Sequence, residues 1–195
     1  IKDGRELLRL SLPWEAVLDL CAGENCFAIV ASNWDTGVTC YIINAESLSP
    51  LAPVSINPEH CGRTETHVEG SRLFIASAGE PFVVCLDAST GRVIWRNDAV
   101  SRVEDIRTAG IDDGTFFYVG RDASQKEIMQ MLDAESGEML REESAKRLSI
   151  PAAGVLWGIG EEGGLVRLDG KLARGVSAEP VTGEPDVVLD CRVFG

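Results

Sequence analysis

The stretch VVCLDASTGRVIWRND, Val83 to Asp98, is followed by a weaker copy of itself, MQMLDAESGEMLREES, at Met129 to Ser144. A more degenerate copy, CYIINAESLSPLAPVS, precedes it from Cys40 to Ser55, and LVRLDGKLARGVS opens a fourth at Leu165. The residues that end the strand before each turn, Asn44, Asp87, Asp133 and Asp169, recur at intervals of 43, 46 and 36 residues. Val17-Leu18-Asp19 returns as Val188-Leu189-Asp190 after 171 residues, close to four periods. A module this small cannot bury its own apolar face, so its copies must pack on one another. The spacing sets four repeats, approximately residues 14–57, 63–100, 104–145 and 149–179, with partial strands left over at 1–10 and 186–195.

Each repeat reads as four strands joined by short connections. In the second these are Thr64 to Val68, Arg72 to Ala78, Phe82 to Leu86 and Arg92 to Arg96, with Gly70, Gly79 and Gly91 at or beside the turns. Runs such as Leu73-Phe74-Ile75 and Phe116-Phe117-Tyr118-Val119 suit a largely buried pleated surface. Asp113-Gly114 is the pair favoured in a two-residue hairpin, where both positions want positive φ. No window supports a long amphipathic helix, so the chain is expected to be all-β. The LDASTG segment has its own mechanics: Asp87 accepts from backbone N–H groups of the turn, Thr90 adds its hydroxyl and Gly91 supplies a left-handed residue.

Cys85, Asp87, Thr90, Gly91 and Trp95 together resemble the PQQ-like β-propeller repeat, in which a small residue, an Asp, a Thr-Gly pair and a Trp lock one blade to the next. The resemblance implies a partial β-propeller of about four four-stranded antiparallel blades, with incomplete ones at each end. Departures are visible. The third repeat keeps Asp133, Ser136 and Gly137 but has Arg141 in place of the Trp, and the first has Asn44, Ser47, Leu48 and Ala52. Blade docking is therefore expected to lean on ordinary apolar packing. Four repeats fall short of the family's closed ring, so the chain reads as an excerpt completed by the remainder of a longer chain or by a second copy.

The residue types constrain chemistry mainly by exclusion. A net charge of −13 with no basic cluster disfavours nucleic acid, and no apolar run approaches the length of a membrane span. Localisation stays open. Six cysteines, at 21, 26, 40, 61, 85 and 191, form no CxxC pair. Cys21 and Cys26 flank a turn and either bridge it or remain core thiols. His60 falls in a Pro- and Gly-bounded loop, and His67 lies between Glu65 and Glu69 on what is expected to be a wetted strand face. The doublets Asp112-Asp113 and Glu161-Glu162 fall in or beside turns, where carboxylates are simply solvated. No GxSxG, HExxH or phosphate-cradling motif occurs.

Quinoprotein dehydrogenases share the repeat, and the resemblance to them implies PQQ with calcium in a central channel. No adjacent cysteine pair and no matching set of metal ligands is found, so no cofactor and no metal is expected. Trp34 and Trp157 are more economically packing residues than stacking ones. The connections between second and third strands would share one rim with the inter-blade segments around His60, Arg102 and Lys146. That rim gathers Trp34, Asp35, Glu80, Arg121, Lys126 and Glu161. Variable loops on rigid blades favour a non-catalytic scaffold binding a protein or small ligand there. The alternative is a fragment of a PQQ-dependent dehydrogenase.

Overall fold

The computed structural model describes residues 16–33, 35, 37–59, 62–144, 156–159 and 165–168. The first sheet contains β1 (Ala16–Ala22), β2 (Cys26–Asn33), β3 (Gly37–Asn44) and β4 (Val54–Asn57). The second contains β5 (Thr64–Glu69), β6 (Arg72–Ser77), β7 (Val83–Asp87) and β8 (Val93–Asn97). The third contains β9 (Asp105–Asp112), β10 (Thr115–Arg121), β11 (Glu127–Asp133) and β12 (Met139–Ser144). Strands follow one another in chain order within each sheet, and every pairing is antiparallel. A hairpin of β13 (Leu156–Ile159) and β14 (Leu165–Leu168) comes next. The architecture is all-β: three open four-stranded sheets, as in part of a propeller. The partial strands expected at 1–10 and 186–195 lie outside the described residues, as does the turn residue Asp169.

Strand ends in the second repeat fall within one residue of those expected, because Asp87 still pairs with Arg72 and Asn97 with Val83. Asp113 (φ 46°) and Gly114 (φ 70°) make the two-residue link between β9 and β10. The first strands come together, β1 beside β5 and β5 beside β9. Neighbouring residues on a strand point to opposite faces, so the second sheet serves two interfaces. Leu73 and Ile75 enter a core with Ala28, Val30, Cys40 and Ile42 of the first sheet. Phe74 and Ala76 join Ile106, Phe116 and Tyr118 of the third, with the Phe74 and Phe116 rings stacked at 5.1 Å.

Three turns are built alike. Asp87 Oδ1 accepts from the N–H groups of Ser89 (2.9 Å) and Thr90 (2.8 Å) and from both hydroxyls. Those hydroxyls, Ser89 first, hold the carboxyl below its usual range. Asp133 Oδ1 receives Glu135 and Ser136 in the same way, and Asn44 Oδ1 receives Glu46 and Ser47. The residue four beyond each is left-handed: Gly91 (φ 72°), Gly137 (φ 75°) and, against its preference, Leu48 (φ 55°).

Polar contacts add to the apolar packing between sheets. The indole Nε1–H of Trp95 donates to the Ala134 carbonyl (3.1 Å), Arg72 Nη1 to the same oxygen (2.9 Å), and Asn97 Nδ2 to the Gly137 carbonyl (2.7 Å). A Cβ on Gly137 would lie 2.4 Å from the indole. The lock needs the Trp of one repeat and the Gly turn of the next, and only the second and third repeats supply both. Between the first and second sheets Val54 lies against Gly91 instead, and Asp19 Oδ2 accepts from Thr66 N (2.6 Å) and Oγ1 (2.7 Å).

Cys21, Cys26, Cys40 and Cys85 are free thiols. Cys21 stands opposite Ala28 and Cys26 opposite Asn44, so neither is the other's cross-strand partner. Among the described residues no helix is long and apolar enough to cross a membrane.

Candidate binding rim

Gly79, Gly120 and the segments that cross between sheets determine the shape of one rim. Gly62 and Arg63, just before β5, meet the loop at 78–82: Ala78 N–H donates to Arg63 O (2.8 Å) and Gly62 N–H to Ala78 O (3.2 Å). The crossing at 98–104 ties that loop to the next, since Gly79 N–H donates to Val103 O and Glu104 N–H to Arg121 O, both 2.7 Å. Gly120 is required where it stands because a Cβ there would come 2.7 Å from the Asp105 carbonyl. The loops of the second and third sheets are thus braced through backbone groups.

Gln130, fully buried in β11, anchors this brace. Its Oε1 accepts from Ser101 N–H (3.0 Å) and Tyr118 O–H (2.6 Å), and its Nε2 donates to Ser101 O (2.9 Å). Burial drives the Tyr118 phenol well above its ordinary range, so it remains a donor. Sequence reasoning missed Gln130. The available signal was one amide in the run Ile128-Met129-Gln130-Met131-Leu132, since a buried polar group is retained where it has partners.

The residues expected on the rim are placed as follows. Glu80 is exposed in the loop that follows Gly79. Arg121 ends β10, is about a third exposed (36%), and lies 3.7 Å from Glu127, which also takes Arg107 at 3.0 Å. Lys126 is exposed at the end of a loop capped by Asp122, whose Oδ1 accepts from the N–H groups of Ser124 (2.8 Å) and Lys126 (2.9 Å). Asp35 is exposed, its N–H donating to Asn33 Oδ1 (2.8 Å). Trp34, Glu161, His60 and Lys146 lie outside the described residues. The crossing at 98–104 thus brings the Glu80 loop and Arg121 to one border.

The charges there alternate. Arg102 pairs with Glu104 at 3.0 Å, and Arg63 pairs with Glu65. Exposed pairs of this kind add little stability but give the border a mixed-sign pattern. Glu65 and His67 stand opposite Ala76 and Phe74, on the face turned toward the third sheet. They are half-buried rather than wetted: desolvation raises the Glu65 carboxyl against the pull of Arg63, and lowers His67 against the pull of Glu69. Among the described residues no group of three or more His, Cys, Asp or Glu side chains is placed to hold a metal ion.

A family model described as outer membrane protein assembly factor BamB matches residues 33–157. The fold is similar to the crystal structure of BamB from Moraxella catarrhalis, with a TM-score of 0.55 at 17% identity over 78% of this chain and 44% of that one. It is also similar to the quinohemoprotein alcohol dehydrogenase from Comamonas testosteroni, with a TM-score of 0.51 at 13% identity over 68% of this chain and 21% of that one. The chain therefore spans less than half the length of either structure, and the likeness is one of fold. No curated protein sequence matches it.

Proposed function

We propose, on the premise that the chain belongs to the PQQ-like β-propeller family, that it acts as a rigid, non-catalytic scaffold whose loop rim binds a protein or a small ligand. Residues 14–57, 63–100, 104–145 and 149–179 are its blades in this reading. The observation that carries it is the braced border: loops of the second and third sheets are tied through Val103, Glu104 and Ser101, while Glu80 and Lys126 project outward. Loops held this way lose little freedom on binding, which lowers the entropic cost of association. Trp34, Asp35, Glu80, Arg121, Lys126 and Glu161 are the proposed contacts.

The competing reading is a fragment of a PQQ-dependent dehydrogenase. The quinone and calcium of such enzymes need oxygen ligands gathered at one place; among the described residues no group of three or more His, Cys, Asp or Glu side chains is placed to hold a metal ion. Titration with PQQ and calcium, followed by quinone absorbance and thermal melting, separates the two readings. A ligand at about 100 times its Kd adds about 2.7 kcal/mol to stability. The scaffold predicts no saturable shift of either signal. A saturable rise in melting temperature with a bound-quinone spectrum would refute it.

A further inference from the structure

Three hydroxyls meet at the rim end of the interface between the first and second sheets. Ser32 follows Ala28 and Val30 on the face of β2 turned to the second sheet, and its cross-strand neighbour Val38 belongs to the same core. Thr64 and Ser77 stand opposite each other on β5 and β6, on the face that carries Thr66, Leu73 and Ile75 toward the first sheet. The two sides are level. Thr66 bonds Asp19, which pairs with Val30, and both Thr64 and Ser32 lie two residues further toward the rim. Ser32 and Thr64 are 1% exposed and Ser77 3%.

Ser77 Oγ donates to the Ala78 carbonyl (3.2 Å), but among the described residues neither Ser32 Oγ nor Thr64 Oγ1 has a hydrogen-bond partner. A buried hydroxyl is costly to leave unpaired, and nearly all such groups bond to protein or to bound water. The repeat shows that the fold itself does not require hydroxyls at these places. Phe27, Leu73 and Phe116 pair with the residues just before Asn44, Asp87 and Asp133, so the three positions are equivalent. Counting on from them, Ser32 corresponds to Ala78 and Ser77 to Gly120; Thr64, paired with Ser77, corresponds to Ile106, paired with Gly120. Ala78 and Ile106 lie in the apolar core between the second and third sheets. Two apolar residues and a glycine close that interface, whereas three hydroxyls hold the same places in this one.

We infer that Ser32, Thr64 and Ser77 form a binding site for one buried water molecule, which bridges Ser32 Oγ and Thr64 Oγ1 and takes Ser77 Oγ as its third partner. Water fits the chemistry. Each hydroxyl can donate one hydrogen and accept at its oxygen, and three such partners match the usual valence of a buried water. Both unpaired oxygens are closed to solvent, so the occupant is no larger than water. The bridge ties the first sheet to the second beside the rim, as the Trp95 bond to Ala134 O ties the second to the third.

Water-selective nuclear Overhauser and rotating-frame spectra of the full 195-residue chain test this. The Thr64 methyl is expected to show a cross-peak with the sign of a long-resident water, and Ser32→Ala to abolish it. A cross-peak relayed by the Thr64 hydroxyl alone would survive that substitution. In urea unfolding, Ser32→Ala and Thr64→Val should each lower the midpoint by about 0.5 M. The double variant should lose about as much as either single one, because each change alone dismantles the bridge. Should Thr64→Val fail to fold, the wild-type spectrum and Ser32→Ala decide the matter. No long-resident water at the Thr64 methyl, a cross-peak indifferent to Ser32→Ala, a midpoint raised by either substitution, or losses that simply add would each overturn the inference. The scaffold reading of the rim uses none of these three hydroxyls and stands or falls separately.

Discussion

Gly137→Ala, compared with Gly70→Ala, measures how strongly the second sheet is locked to the third. Both glycines are left-handed, at φ 75° and 56°, so both substitutions carry the backbone cost of placing an L-residue there, about 1 to 2 kcal/mol. They differ in what the new methyl meets. At Gly70 nothing lies within 4 Å, whereas at Gly137 the Trp95 ring is 2.4 Å away. Relief requires the indole to move, which strains its 3.1 Å bond to Ala134 O and adds about 1 to 3 kcal/mol of overpacking. Urea unfolding followed by far-UV circular dichroism is therefore expected to give about 1 to 2 kcal/mol for Gly70→Ala and about 2 to 5 kcal/mol for Gly137→Ala. Trp95→Val removes the obstacle, imitating Val54 against Gly91. In that background the two alanines should cost the same to within about 0.5 kcal/mol. Equal losses in the wild-type background would mean that Trp95 is not seated on this turn, and the account of the lock would fail.

Gln130→Leu is expected to lose about 1 to 3 kcal/mol, because the buried Tyr118 hydroxyl would lose its acceptor and the Ser101 N–H and C=O their shared amide partner. Hydrogen exchange should accelerate across 98–104 first, and unchanged protection there would contradict the anchoring role. The buried thiols predict a fall in stability at alkaline pH. Burial raises Cys21 from 9.0 to about 11 and Cys85 from 9.0 to about 12, so the folded state keeps protons that the unfolded chain gives up. Their stabilisation is complete below about pH 9 and is lost as pH climbs through 11 and 12. Denaturation midpoints for Cys85→Ala and wild type should converge over that window if the assignment is right.

The repeat made the sheets legible because the signals that define it are local. Asp or Asn, then a hydroxyl residue, then a left-handed position are read from five consecutive residues, and the hydrogen bonds at Asp87 and Asp133 follow from those side chains alone. Leu48 shows how far local reading carries. Asn44 and Ser47 form the same bonds as their counterparts, and the turn closes although the left-handed residue is Leu. The lock between sheets was harder to read, since Trp95 reaches a carbonyl 39 residues on. Its partner is visible only when the Trp of one repeat is set against the turn of the following one.

The same distinction holds at the rim and on the outer face of the first sheet. Loop position and charge in the sequence point to the rim residues but not to what braces a loop: Gln130 lies in the middle of a strand, yet it fixes Ser101, 29 residues earlier. The outer face of the first sheet shows the converse. Val17, Leu20 and Phe27 look like core residues in sequence, yet Phe27 is 41% exposed where its counterparts Leu73 and Phe116 are 0% exposed. Apolar periodicity says that a face will be covered; whether the cover belongs to the same polypeptide is a property of the assembly.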